Sequence, residues 1–190
     1  MKFILIIFSI LSMIASSSLN AFDDKKEGFY FSLGAGLHTL KMVKSVGSLK
    51  ETTNENGIAT SFNIGYGLTN DFILYYSNNV NWYNNYDSGE TYLNRISGIG
   101  VTYYAADEIY LKCVYGLAAD YAYGDRSFSI NGDGYEIGVG YDIAKHVSIE
   151  LDYTYSDYDE LRADGTLYKF GDGVSITAQS IRMLIRYNWY

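Results

Sequence analysis

The feature that most constrains this chain is an alternation of apolar residues with polar or small residues that recurs in eight segments. In the sixth segment, Tyr135, Ile137 and Val139 alternate with Glu136 and Gly138. A period of two places successive side chains on opposite faces of a β-strand. After the first 21 residues, no stretch holds a helical period of 3.6 residues for long. The pattern therefore predicts an all-β fold of eight strands.

The composition favours long, uninterrupted strands. The 190 residues include 21 Tyr and 19 Gly but no Pro. Aromatic residues favour strands, and Pro cannot donate a hydrogen bond to a β-ladder. The single cysteine, Cys113, excludes an intramolecular disulfide framework. The net charge of -8 argues against nucleic acid as a partner, because phosphate binding needs a basic surface.

The connections between the predicted strands alternate in length. Three are tight turns and four are longer, polar loops. The turns lie at residues 69–71, 105–108 and 144–146, and the loops at about residues 41–56, 84–90, 124–132 and 157–173. Short turns at one end and longer loops at the other are typical of an antiparallel up-and-down barrel that crosses an outer membrane.

The N-terminus has the pattern of a secretory signal peptide. Lys2 is followed by an apolar run over residues 3–14 and a stretch of small residues that ends at Ala21. The run is shorter than the roughly 20 residues that a membrane-spanning helix needs. We therefore expect residues 1–21 to be the signal peptide, with cleavage after Ala21 or alternatively after Ser18, and residues 22–190 to form the barrel domain.

The composition of the polar face distinguishes a membrane barrel from a soluble, lipocalin-like barrel. This face is rich in glycine, which suits a narrow, strongly curved interior better than a surface in water. It also carries charges of both signs: Lys112, Asp120, Glu136, Asp142, Glu150, Asp152, Arg182 and Arg186. Buried charges must be paired, so we expect a structural charge network in the lumen. Within it, Glu150 and Asp152 are the expected partners of Arg182 and Arg186.

The opposite, apolar face is predicted to contact lipid. Aromatic residues lie near the strand ends of this face, where interfacial girdles form in membrane barrels. The candidates for the girdles are Tyr66, Phe72, Trp82, Tyr103, Tyr135, Tyr141, Tyr153, Tyr155, Tyr187 and Trp189.

The hairpin at residues 138–157 resembles the strand-turn-strand signature of small outer-membrane β-barrel proteins, the superfamily of the OmpA transmembrane domain, OmpX and the opacity proteins. The resemblance implies an eight-stranded antiparallel up-and-down transmembrane β-barrel in the bacterial outer membrane. It also implies a C-terminal aromatic signal for the barrel-assembly machinery, formed here by Tyr187, Trp189 and Tyr190. Because the lipid-facing phase ends at Trp189, either Trp189 or Tyr190 is the terminal signal residue.

An enzymatic site is the sharpest alternative to a structural interior. His146 and Ser148 form a His-x-Ser pattern like that of a lipid A deacylase, with Glu150 nearby. The predicted context is poor, because His146 lies in a turn and Ser148 faces the lumen at the wrong end for outer-leaflet lipid A. His38 is expected near the rim of the first strand. We predict no catalytic residues, no cofactor and no metal site, and we read the acidic last loop as solvated.

These patterns predict a small integral outer-membrane protein with a structural or surface-display role of the adhesion type. The alternative is a narrow porin-like channel, and a lipid A-modifying enzyme ranks below it. The expected partners are outer-membrane lipid and lipopolysaccharide, the barrel-assembly machinery, and a host or surface ligand bound by the extracellular loops, but no nucleic acid.

Overall fold

The described part of the chain contains nine β-strands, and eight of them close into a ring. The computed structural model describes residues 26–84, 91–122, 128–163 and 166–190. The strands are β1 (Gly28–Val46), β2 (Leu49–Thr69), β3 (Phe72–Asn84), β4 (Thr91–Tyr104), β5 (Ile109–Ala122), β6 (Phe128–Ala144), β7 (Val147–Ala163), β8 (Thr166–Lys169) and β9 (Val174–Trp189).

The order of the strands in the ring follows the chain. Each strand from β1 to β7 pairs antiparallel with the next, and β9 pairs with both β7 and β1. The predicted eight-stranded antiparallel barrel is therefore confirmed. The short β8 pairs with the far end of β7 and takes no part in the ring.

The two ends of the barrel differ in their connections. At one end, called here the terminal end, short turns join β2 to β3, β4 to β5 and β6 to β7, as the sequence predicts, and β1 begins beside the end of β9. The opposite end, called the hairpin end, carries the β1–β2 and β7–β8 hairpins. Within the described ranges, the chain has no helix that is long and apolar enough to cross a membrane.

The β1–β2 hairpin corrects the prediction of a loop at residues 41–56. β1 and β2 pair without interruption along the whole hairpin, and Gly47 turns the chain with a φ of 58°. The inner face of this extension holds the buried side chains of Leu40 and Met42. Burial of these apolar residues explains why the polar segment remains in the sheet.

The last predicted loop, at residues 157–173, is likewise partly strand, since β7 extends to Ala163 and β8 folds back against it. Phe128 already belongs to β6, so the predicted loop at residues 124–132 ends early. Residues 85–90 and 123–127 of the other predicted loops lie outside the described residues. The predicted signal peptide, at residues 1–21, lies outside them as well.

The two faces of the wall match the predicted alternation. On β6, Ile137 is 51% exposed on the outside, whereas its neighbour Glu136 is 0% exposed inside. Leu111, Val139, Leu151 and Met183 continue the exposed apolar surface on neighbouring strands. The predicted girdle residues also lie on this outer phase, and the rings of Tyr135 and Tyr155 stack there with centroids 5.4 Å apart.

Irregular pairing near the hairpin end changes which residues face outward. The β5–β6 register shifts between Gly116 and Ala119, so that Ala119 is buried instead of exposed. A β-bulge of this kind reverses the alternation for the residues that follow it. Asp120 therefore lies on the outside of the barrel, and Tyr121 is buried inside. The placement of Asp120 is the reverse of the sequence-based assignment.

Substitution of an apolar residue on the outer wall by a charged residue tests whether this wall faces lipid. We expect Ile137→Arg to lower the free energy of unfolding in lipid vesicles by about 2–4 kcal/mol, because a cation near the bilayer midplane loses its hydration. Denaturant titration of the protein in vesicles measures the change. Ser175→Arg, at an exposed position of β9 near the hairpin end, is the control. Equal stability of the two variants would contradict the assignment.

Candidate functional site

A layer of six charged side chains crosses the middle of the barrel. Lys112 on β5 lies at its centre, with its Nζ atom 2.8 Å from Glu136 Oε1, 3.1 Å from Glu150 Oε2 and 3.4 Å from Asp152 Oδ2. The carboxylates extend from β6 and β7 toward this single ammonium group. Lys112 on β5 therefore forms ion pairs with both β6 and β7.

Two arginines from β9 complete the charged layer. Arg182 Nη2 donates to Glu136 Oε2 at 2.6 Å and to Asp152 Oδ2 at 2.7 Å. Arg186 Nη2 donates to Glu150 Oε2 at 2.8 Å. The pairing of Glu150 and Asp152 with these arginines is the one that the neighbouring strands suggested, and Glu136 joins it as a third acid.

The polar wall on the far side of the lumen continues the hydrogen bonding. Arg186 reaches across to Ser32 Oγ on β1 and Ser61 Oγ on β2, at 2.8 Å each. Asn79 on β3 donates to Glu136 Oε2 at 2.9 Å and also contacts Ser61. The layer thereby joins β1, β2, β3, β5, β6, β7 and β9.

The charged layer is balanced and sealed from solvent. It contains three cations and three carboxylates, each of them 4% exposed or less. Removing such groups from water costs several kcal/mol per ion, which close pairing and additional hydrogen bonds must offset. Gly138 gives the layer room, because a Cβ atom at this position would overlap the Asp152 carboxylate. The geometry is that of a structural core.

Two residues of the predicted network lie elsewhere. Asp120 accepts a hydrogen bond from Arg95 Nε at 2.6 Å on the outside of the barrel, where the β5 bulge places it. Asp142 lies at the terminal end, 3.7 Å from Lys26 Nζ. The structure therefore brings together six of the eight predicted residues, with Asp142 facing the mouth below them.

Lys26 spans the mouth of the barrel at the terminal end. Its ammonium group donates to the Asp107 carbonyl at 2.9 Å and lies 3.1 Å from the centre of the Tyr104 ring. Its main-chain N–H donates to Asn70 Oδ1 at 3.1 Å. Burial lowers the pKa of Lys26, and the Asp142 carboxylate opposes that shift.

Clusters of tyrosine side chains fill the lumen on both sides of the charged layer. The cluster toward the terminal end contains Tyr30, Tyr75, Tyr104, Tyr110 and Tyr190, and the cluster toward the hairpin end contains Tyr83, Tyr92, Tyr121 and Tyr158. The first cluster is tied to the charges, because Tyr110 Oη donates to Glu150 Oε1 at 2.7 Å.

The alternation in the sequence predicts tyrosines mainly in the outer girdles and does not reveal either cluster. A signal was nevertheless present in the sequence, because four of the inward tyrosines, among them Tyr75 and Tyr110, lie opposite glycines on a neighbouring strand. Tyr75 lies against Gly100 and Tyr110 against Gly140, and a Cβ atom at either glycine would overlap the ring. Glycine on the lumenal face thus marks positions where a neighbouring ring lies flat over the backbone.

The C-terminal aromatic residues divide between the two faces. Tyr190 points into the lumen, where its Oη lies 2.7 Å from Tyr104 Oη and its ring stacks on Tyr30. Trp189 lies on the outer phase, with its ring 4.9 Å from that of Phe31 and 4.3 Å from that of Tyr187. The outer surface therefore presents Tyr187 and Trp189, whereas Tyr190 belongs to the interior packing.

The His-x-Ser pattern does not form a nucleophile–base pair. The His146 ring stacks against Tyr187 and Tyr190, with centroids 5.8 Å and 6.4 Å apart. Ser148 Oγ is buried and accepts hydrogen bonds from Tyr110 and Asn188. Activation of a serine nucleophile would require a base within hydrogen-bond reach. These contacts instead give His146 and Ser148 packing and hydrogen-bonding roles.

His38 points into the lumen near the rim, at the level where the β1–β2 hairpin leaves the ring. Its Nε2 is 3.1 Å from the Trp82 carbonyl oxygen on β3. This contact passes over Gly57 of the intervening strand β2, where a Cβ atom would overlap the same carbonyl. In the described ranges, no group of three or more His, Cys, Asp or Glu side chains is placed to hold a metal ion.

Removal of the central cation tests the charged layer. We expect Lys112→Met to destabilise the barrel by about 3–5 kcal/mol, because it leaves buried carboxylates short of their shared cation. Denaturant unfolding in lipid vesicles measures the loss. Lys41→Met, at an exposed position of β1, is the matched control. If the two variants unfold within about 1 kcal/mol of each other, the layer is not held together by Lys112.

Comparisons with known proteins bear on the fold. No protein-family model matches the chain, and no curated protein is similar to it in sequence. Several solved outer-membrane barrels are similar in structure. Ail of Yersinia pestis is 16% identical over 85% of this chain and 99% of its own, with a TM-score of 0.52.

Two further structures give the same result. Neisserial surface protein A is 19% identical, covering 84% of this chain and 96% of its own, with a TM-score of 0.51. OprG from Pseudomonas aeruginosa is 11% identical, covering 88% of this chain and 99% of its own, with a TM-score of 0.52. At these identities the likeness concerns the fold alone. The chain has the fold of a small outer-membrane β-barrel, with eight transmembrane strands and a buried salt-bridge network inside.

Proposed function

We propose that the protein is a structural or surface-display protein of the bacterial outer membrane, with its terminal end in the periplasm and its hairpin end outside the cell. The observation that carries this proposal is the filled lumen, in which the charged layer lies between two tyrosine clusters. A barrel built in this way is a rigid support, and its activity lies in what the hairpin end displays. Residues 1–21 are the proposed signal peptide, and residues 22–190 the barrel domain.

The filled lumen argues against the porin-like alternative. An open pore needs a continuous water-filled path, whereas the side chains of Arg182 and Arg186 cross the lumen and bond to buried carboxylates. The interior of an eight-stranded barrel is just wide enough for side chains to fill it. Charged side chains are therefore the packing material of this barrel rather than the lining of a channel.

Conductance in planar bilayers separates the two functions. We expect the purified wild-type protein to give no stable conductance steps, because paired side chains block the lumen. The informative variant is Arg186→Ala, which removes one of the two large arginine side chains of the charged layer. Lys41→Ala is its control. Stable steps in the wild type that change with Arg186→Ala would overturn the structural proposal in favour of a channel.

A non-enzymatic role is part of the same proposal. The contacts of His146 and Ser148 support it, since neither residue is placed to activate the other. Mass spectrometry of lipid A from cells with and without the protein provides the test. A mass difference corresponding to a lost or added acyl chain, abolished by Ser148→Ala, would establish lipid A modification instead.

The charges at the hairpin end indicate which ligands this surface suits. The described charged residues in the half of the barrel toward the hairpin end, outside the charged layer, include more acids than bases. The acids are Glu51, Glu55, Asp120, Asp133, Asp157, Asp159, Glu160 and Asp172, and the bases are Lys41, Lys44, Lys50, Arg95, Arg162 and Lys169. A neutral or cationic surface ligand therefore fits better than a polyanion. Lipid and lipopolysaccharide are the proposed partners of the apolar wall.

We also propose that Tyr187 and Trp189 form the part of the C-terminal signal that the assembly machinery contacts. Their outward position supports this role, whereas Tyr190 packs inside. We expect Trp189→Ala to reduce assembly by purified machinery several-fold with little change in stability. Tyr190→Ala should mainly lower stability, by about 3–5 kcal/mol for a buried aromatic. The reverse pattern would assign the signal to Tyr190.

A further inference from the structure

The β1–β2 hairpin carries an open strand edge beyond the barrel. β2 pairs with β3 only from Ile58 toward the terminal end, where Ile58 lies opposite Trp82. Residues 49–56 of β2 pair with β1 on one side, and within the described ranges no strand pairs with them on the other. An unpaired edge presents main-chain donors and acceptors to another strand.

Contacts at the base of the hairpin fix where this edge begins. The Trp82 carbonyl, which follows the last β2–β3 pair, contacts His38 Nε2 from β1. Because this acceptor has a side-chain partner, the β2–β3 ladder ends at a defined residue. β2 then leaves the ring and continues with β1.

The rest of the extension holds the edge in an extended shape. β9 pairs with β1 as far as Val174, which makes the extension a three-stranded sheet. At its tip, Gly47 N–H donates to the Gly173 carbonyl at 2.9 Å. Leu40 and Met42 pack its inner face onto the tyrosine cluster toward the hairpin end. A strand that joins this edge meets an ordered template and loses less conformational entropy than it would on a mobile loop.

We propose that this edge pairs antiparallel with the same edge of a second copy in a facing membrane. The inference rests on the proposed orientation, in which the hairpin end lies outside the cell. Two copies in one membrane present strands that run in the same direction. A twofold axis along the membrane normal would place each residue opposite the same residue of the second copy, with the two side chains on opposite faces of the shared sheet. Paired residues in a β-ladder have their side chains on the same face, so this arrangement is not allowed.

Copies in facing membranes meet this requirement. A twofold axis perpendicular to the sheet makes the strands antiparallel and keeps the outer face of each copy on one side. We consider the registers in which the twofold axis passes near the middle of residues 49–56. When Thr52 lies opposite Thr52 of the second copy, Lys50 lies opposite Asn54 and Glu51 lies opposite Thr53. Registers centred one residue away place Glu51 opposite Glu51 or opposite Glu55, and like charges in that position are destabilising. The charges therefore select the register centred on Thr52.

Vesicle clustering tests this pairing with the complete barrel. Each contact is small, so many copies on each vesicle provide the avidity. We expect proteoliposomes of the wild type to cluster, as measured by light scattering. Thr52→Glu and Thr52→Lys, which place equal charges opposite each other, should each reduce clustering at least tenfold. Mixing vesicles of these two variants should restore it, because opposite charges then face each other.

The control is Ser175→Glu, which adds the same charge to the extension on β9, away from the edge. It should cluster like the wild type. Failure of wild-type vesicles to cluster, undiminished clustering by Thr52→Glu, or no recovery in the mixture would each overturn the proposal. Circular dichroism and flotation with the vesicles report insertion separately. A protein that does not insert would contradict the membrane function itself, whereas one that inserts without clustering contradicts the pairing alone.

Discussion

Closure of the hydrogen-bonded ring is the constraint on which the rest of this structure depends. In hydrocarbon, an unpaired main-chain N–H or C=O group costs several kcal/mol, so a sheet can cross the membrane only if its edges meet. Here β9 meets β1 over most of its length. Once the ring closes with eight strands, the interior is narrow, and every lumenal side chain must pack against side chains from the other strands.

That narrow interior explains why charges occupy the middle of the barrel. Lys112, Arg182 and Arg186 are long side chains that reach across the lumen, and the three carboxylates provide partners from β6 and β7. A buried ion pair is weak evidence for stability in general, because desolvation offsets the attraction. In this barrel the clearer effect of the charged layer is geometric, because each arginine links strands that are not neighbours in the sheet. Arg182 links β9 to β6, and Arg186 links β9 to β2.

The sequence predicts the ring and the central pairs because both follow from strict alternation. Glu150 and Asp152 alternate with apolar residues on one strand, as do Arg182 and Arg186 on another, so their common face could be read directly. Asp120 could not be placed in this way. The bulge that turns it outward depends on pairing between β5 and β6, and neither strand reports its register shift alone.

The tyrosine clusters and the long hairpin escaped prediction for related reasons. An aromatic residue on a glycine-rich face is equally compatible with a girdle or an interior cluster until the opposite strand is known, as Tyr110 and Gly140 illustrate. The segment at residues 41–56 is polar on its exposed side and reads as a loop. It remains in the sheet because Leu40 and Met42 bury their side chains against residues that are distant in the sequence.

The position of Lys26 has a consequence for the order of folding. Its contacts involve Asn70, Asp107 and Asp142, which lie near three different turns at the terminal end. These turns come together only after the strands between them have paired around the ring. The N-terminal segment therefore settles across the mouth only after β2 to β7 have paired with one another. A fluorescent label near Lys26 would report the assembly of these six strands, as distinct from the earlier insertion of individual hairpins.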